Sequence, residues 1–172
     1  MKTYIHTVLL TVGLLTLLLS HAHAQILQIS QVVFGMDCAP CAYSLEKRLS
    51  HLEGVKKVTI SLNTGQAILE LSPENKLTLE SIRRTVFESG FSPREALIKV
   101  QGHLQTQGNQ WILITPQGEK FKLITTQPTT QQRLQELVTY NQPVVLKGTI
   151  PDTGKEIPDQ WTLKLDETAK PS

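Results

Sequence analysis

Apolar residues change their spacing repeatedly between residues 27 and 98, and the order of those changes constrains the fold more than any other feature of the chain. A β-rich run at 26–29 and 31–35 comes first. Leu45, Leu49 and Leu52 then recur at i, i+4 and i+7, which gives a helix one apolar stripe, and Gly54 stops it. Val58, Ile60 and Leu62 alternate as in a half-buried strand, Asn63-Thr64-Gly65 marks a hairpin turn, and Ala67, Leu69 and Leu71 alternate on the return. Leu79, Ile82 and Val86 form a second helical stripe ended by Ser89-Gly90, and Ala96 and Ile98 close the pattern in a last strand. Strand, helix, strand, strand, helix, strand is the order of a ferredoxin-like βαββαβ sandwich, an α+β fold.

The composition shifts after Ile98. Residues 99–166 are rich in Gln and Thr, with strand signals at 100–106, 110–115, 120–124, 143–150 and 160–165. Gly108-Asn109 and Gln117-Gly118 punctuate the first three. A helical stretch with Leu134, Leu137 and Val138 on one face separates the third from the fourth. Three strands, a helix and two strands is the order of a small OB-like β-barrel. The predicted organisation is therefore a first domain at 25–98, a second at 99–166 and a polar tail at 167–172.

The protein's two cysteines, Cys38 and Cys41, stand between the first strand and the first helix, in the run Val33-Phe34-Gly35-Met36-Asp37-Cys38-Ala39-Pro40-Cys41-Ala42. Two thiolates at that spacing can converge on one soft metal ion. A helix N-terminus lowers the thiol pKa and favours the form that binds metal. The run resembles the Gly-Met-x-Cys-x-x-Cys motif of heavy-metal-associated domains, which occur in copper chaperones, in the periplasmic mercuric-ion-binding protein and in the N-terminal arms of metal-exporting ATPases. Leu52-Glu53-Gly54-Val55 and Glu88-Ser89-Gly90-Phe91 also look like loop regions of that family. The resemblance implies the ferredoxin-like fold and metal ligation by Cys38 and Cys41, with Met36 as a core plug beneath the loop. It implies one bound soft ion, Cu(I) favoured, with Zn(II), Cd(II) or Hg(II) as alternatives. The implied partner is a metal-transport or metal-acceptor protein.

Asp37 departs from the copper-handling pattern, where Thr, Ser or His is usual, and looks more like zinc- and cadmium-exporting domains. Its carboxylate is a candidate third ligand for a harder divalent ion; a solvated or helix-capping Asp is the alternative. Phe91 stands where family members carry an aromatic near the metal, and core packing is the competing role. The Lys of eukaryotic copper chaperones is missing there. His51 falls at the end of the first helix and His103 in the second half, so neither is expected to share an ion with the cysteines.

The N-terminal residues read as a secretory signal: Lys2, an apolar run at 8–19 and the small-x-small site Ala22-His23-Ala24. Cleavage after Ala24 leaves a mature chain of 148 residues that starts at Gln25, with no stable membrane insertion. The expected location is periplasmic or secreted, where paired thiols oxidise unless reduced or metal-filled. Formal charge is +2 for the whole chain, so no strong field attracts nucleic acid, and the second half pairs no basic groove with stacking aromatics. With no nucleophile–base pair in view, the sequence reads as a metal-binding protein and not an enzyme. Cys-Ala-Pro-Cys also resembles the thioredoxin motif, so a thiol-disulfide protein using Cys38 and Cys41 is the alternative. A purely structural bridge would close too short a loop to constrain the unfolded chain much.

Overall fold

The structure is a computed structural model and describes residues 25–154 and 156–165; the signal-like segment 1–24 and the tail 167–172 lie outside the described residues. The first half runs β1 (Ile26–Phe34), α1 (Ala39–Ser50), β2 (Val55–Ser61), β3 (Gln66–Leu71) and α2 (Leu79–Glu88) into β4 (Ser92–Gln107). Its strands lie in the order β2-β3-β1-β4, all antiparallel, which is the βαββαβ arrangement expected of the pattern. Leu45 and Leu49 are buried from α1, and Leu79, Ile82 and Val86 from α2, whereas Leu52, the third member of the first stripe, lies past the end of α1 and is half-buried. Leu62 differs. It lies beyond the end of β2 and is exposed, because the hairpin turn begins at that point. Gly54 turns the chain at φ +92°, where a Cβ would meet the Cβ of buried Asn75 at 2.5 Å. The Asn75 amide donates to the carbonyls of Ile26 at 2.9 Å and Ser72 at 2.6 Å, fixing the start of β1 against the loop before α2.

The main difference from the sequence reading is β4. The strand expected to close at Ile98 and the one expected to open at Val100 are a single strand of 16 residues. Ala96, Ile98, Val100, Gly102 and Leu104 are all buried, so the period of two runs unbroken through the change in composition. Residues 98 and 99, where the sequence reading divides the chain, are consecutive positions inside this strand.

β4 pairs with β1 from Ser92 to Val100 and with β7 (Pro143–Ile150) from Ala96 to His103. From His103 to Gln107 it pairs with β5 (Gln110–Ile114), which leads to β6 (Lys120–Ile124). α3 (Pro128–Tyr140) follows and buries Leu134. β8 (Trp161–Leu165) runs parallel to β6 and antiparallel to β7, so the pairings β4-β5-β6-β8-β7-β4 close into a ring. Two glycines permit close strand approach there. A Cβ on Gly102 would lie 2.6 Å from the Ile114 carbonyl oxygen, and one on Gly148 only 2.4 Å from that of Lys164. Buried apolar residues of both halves form one contiguous cluster, from Ile29 and Leu45 through Ile98 and Val100 to Phe121, Leu146 and Leu163. No helix among the described residues is long and apolar enough to cross a membrane.

Candidate metal site

β1 ends at Phe34, and Gly35 at φ +90° turns the chain out of the sheet with open space around it. Met36 turns back into the core and is buried, as the resemblance implies for a plug beneath the loop. Asp37 is exposed. Cys38 is the N-cap of α1, in extended conformation, and its sulfur accepts from the Cys41 amide at 3.2 Å. Its carbonyl accepts from the Ala42 amide at 3.0 Å, and Pro40 occupies the first turn, where a missing amide hydrogen costs nothing. Both cysteines are half-buried at the surface end of the helix. They are joined as a disulfide with Cα atoms 5.1 Å apart. Both side chains thus already aim at one point beside the free amides of a helix start. In this oxidised form neither sulfur is a thiolate, so metal binding must follow a two-electron reduction.

Groups outside the motif brace this end of the sheet. Phe34, 64% exposed, lies under the Arg94 guanidinium at 5.1 Å, and Arg94 also pairs with Asp152 at 3.1 Å. The Gly154 amide, and then Arg94, hold the Asp152 carboxyl below its usual range. From α1, Arg48 donates to the Glu88 carbonyl at 2.8 Å and the Ser89 hydroxyl at 3.3 Å, tying the cysteine helix to the loop after α2. Arg83 lies deeper, 2% exposed. It donates to the carbonyls of Arg94 at 2.6 Å and Pro93 at 3.3 Å and to the Thr153 hydroxyl at 3.2 Å, and sits over the Trp161 ring at 5.4 Å. Burial lowers its pKa, against the pull of Asp152.

The structure brings Cys38 and Cys41 together, and His51 and His103 stand apart from them. His51 is the C-cap of α1, and His103 is exposed on β4 opposite Ile114. Phe91 is half-buried against the core. Among the described residues, no group of three or more His, Cys, Asp or Glu converges so as to hold a metal ion. Sequence reasoning missed Arg83, Arg94, Asp152 and Glu119. Arg83 sits among the core positions of α2, and that misplaced charge was the one available signal.

Residues 32–92 match the heavy-metal-associated domain family. The chain is 36% identical over 59 residues to the human copper-transporting ATPase 2, covering 34% of this chain and 4% of that protein. It is 28% identical over 57 residues to the mercuric transport protein periplasmic component of Pseudomonas aeruginosa, covering 33% of this chain and 62% of that one. Among solved structures, oxidized MerP from Ralstonia metallidurans aligns at 26% identity over 38% of this chain and 90% of that chain, with a TM-score of 0.36. The chain spans only a small part of the copper-transporting ATPase 2 that it matches. The family match takes in both cysteines and both helices of the first half, and the proteins it is similar to are a copper-transporting ATPase and a mercuric transport protein.

Proposed function

We propose that this protein is a periplasmic or secreted carrier that binds one soft metal ion through Cys38 and Cys41 and passes it on or holds it. Cu(I) is the favoured cargo, with Hg(II), Zn(II) or Cd(II) as alternatives, and it is not an enzyme. The observation that supports this best is the convergence of both sulfurs at the exposed N-terminus of α1. Helix amides stabilise thiolates there, and the half-exposed position leaves room for an incoming ligand. Transfer runs by ligand exchange: a thiolate or thioether of the acceptor adds to the ion before the first cysteine sulfur leaves. The acceptor is a metal-transport or metal-acceptor protein. Processing after Ala24 delivers the chain outside the cytosol. The second half, residues 99–166, is an OB-like barrel whose helix follows the third strand of the ring.

The test is competition of the reduced protein against a strong Cu(I) chelator. One ion per chain is expected, with tight binding lost in Cys38→Ser and in Cys41→Ser. Retention by the double Ser variant would place the site elsewhere. The disulfide itself favours a second reading, a thiol-disulfide protein. Insulin reduction at a rate comparable to a thioredoxin would establish that reading, and negligible turnover is expected.

A further inference from the structure

Glu119 carries a half-buried carboxylate that the metal chemistry does not use. It stands on the turn between β5 and β6, where its amide donates to the Thr115 hydroxyl at 3.0 Å. Its oxygens accept from the first amides of α2, Leu79 at 3.0 and 3.1 Å and Glu80 at 3.4 Å. They also accept from the Trp161 indole at 2.9 Å and the Gln25 side-chain amide at 2.9 Å. Every one of these donors is neutral. Among the described residues the charged side chain acting on Glu119 is Glu80, of the same sign, and burial pushes the Glu119 carboxyl above the usual range. Drawing a carboxylate partly out of water without a cation beside it is costly, even when its hydrogen bonds are made.

Gln25 is the residue that follows Ala22-His23-Ala24. It is fully buried, its carbonyl accepts from the Gln101 amide at 2.8 Å, and its side-chain oxygen has no hydrogen-bond partner. Its α-nitrogen belongs to the same residue that already touches Glu119.

We propose that cleavage between Ala24 and Gln25 creates the missing cation: the new α-amino group of Gln25 pairs with Glu119 and locks the start of β1 to α2 and to the β5–β6 turn. The reaction is hydrolysis by a leader-removing protease. One water is consumed: the Ala24–Gln25 amide breaks, the water's oxygen goes to Ala24, which departs as a carboxylate, and both of its hydrogens go to the Gln25 nitrogen, which becomes an ammonium. The proposal rests on the export reading. It makes the processed chain the stable form and the leader-bearing chain the looser one, which suits a protein that must cross a membrane before it folds. Glu119 is then the receptor for the mature N-terminus.

The experiment compares 25–172 with 23–172, each in wild-type and Glu119→Gln form, made with defined N-termini and checked by mass for an intact Gln25. The 25–172 protein should melt at least about 3 °C higher than the 23–172 protein, the scale of one kilocalorie-sized interaction at this length. That gap should vanish in the Glu119→Gln pair. Because Glu119→Gln could itself fold poorly, the α-amine of wild-type 25–172 is also labelled with an amine-reactive reagent. It should react more slowly than in the unfolded chain and titrate above its ordinary value of about 7.7–8.0. Equal melting temperatures, a gap that survives Glu119→Gln, or an α-amine that labels as fast as in the unfolded chain would overturn the pairing. N-terminal mass analysis of the exported protein should show Gln25 first, and any other start overturns the processing step. Both forms should bind one Cu(I), so failure of the carrier reading is seen separately.

Discussion

Arg83→Met isolates what a buried guanidinium contributes where the two halves meet. Methionine keeps most of the aliphatic stem, so the cavity term stays small. Lost are the bonds to the Arg94 carbonyl at 2.6 Å, the Thr153 hydroxyl at 3.2 Å and the Pro93 carbonyl at 3.3 Å, and the contact with the Trp161 ring; the bond to the Gln31 side-chain oxygen at 3.5 Å is too long to add much. The Arg94 carbonyl keeps a second donor, the Gln31 amide at 3.0 Å. Three bonds at about 1 kcal/mol each and a cation–π contact of about 1 kcal/mol, less the desolvation recovered, leave a loss of about 3 kcal/mol. For a chain of this size that lowers the melting temperature by about 9 °C. Urea unfolding followed by tryptophan fluorescence and by far-UV circular dichroism measures it. Trp161 carries the guanidinium contact on one side of its ring and the Glu119 bond at its indole N–H, so fluorescence reports the junction directly. The exposed neighbour Arg84, paired only with Glu80 across one helical turn, is the control, and Arg84→Met should change stability by about 0.5 kcal/mol or less. A loss below about 1 kcal/mol for Arg83→Met, or one no larger than for Arg84→Met, would refute the reasoning.

Gly148→Ala would place a Cβ 2.4 Å from the Lys164 carbonyl oxygen and 3.0 Å from the buried Leu163 side chain, which leaves little room to shift. It should cost more than about 2 kcal/mol in urea unfolding, and a near-neutral result would mean the ring is looser than this packing. Asp37→Ala should weaken Zn(II) or Cd(II) binding clearly and Cu(I) binding little if the carboxylate is a ligand; equal Zn(II) affinities in the two proteins reduce Asp37 to a surface residue. A 25–98 fragment lacks Val100, which pairs with Ile26, and the Glu119 cap of α2, so it should unfold at lower urea than the 25–172 chain. Identical midpoints would show that the first half closes its core without the rest.

The parts of this fold legible in the sequence are those encoded locally. Leu45 and Leu49, or Leu79, Ile82 and Val86, write a helical face into their own spacing, and the cysteine pair writes a helix start. Leu62 fits the same alternation yet sits in a turn, because Asn63-Thr64-Gly65 outranks a third apolar position. Continuity across residue 98 was equally present as an unbroken period of two, but the shift toward Gln and Thr drew attention to composition, which reflects solvent-facing positions and not strand ends. What no local pattern carries is a polar group that acts at long range. Glu119 bonds to Leu79, 40 residues earlier, and Arg83 bonds to Thr153, 70 residues later.

Those long-range ties share one location, and that bears on the metal site. Glu119 holds the N-terminus of α2, Arg83 holds its middle, and Arg48 from the cysteine helix holds the loop at its end. Asp152 reaches from beyond β7 to Arg94, which lies over Phe34, the last residue before the turn into Met36 and Cys38. A ferredoxin-like sandwich of about 70 residues buries too little surface to be more than marginally stable. The added ring extends the same hydrophobic cluster and supplies the polar clamps around α2. Its clearest physical contribution is to hold the loops that flank Cys38 and Cys41 in fixed relation, so that in the carrier role proposed above ion exchange need not await reordering of those loops.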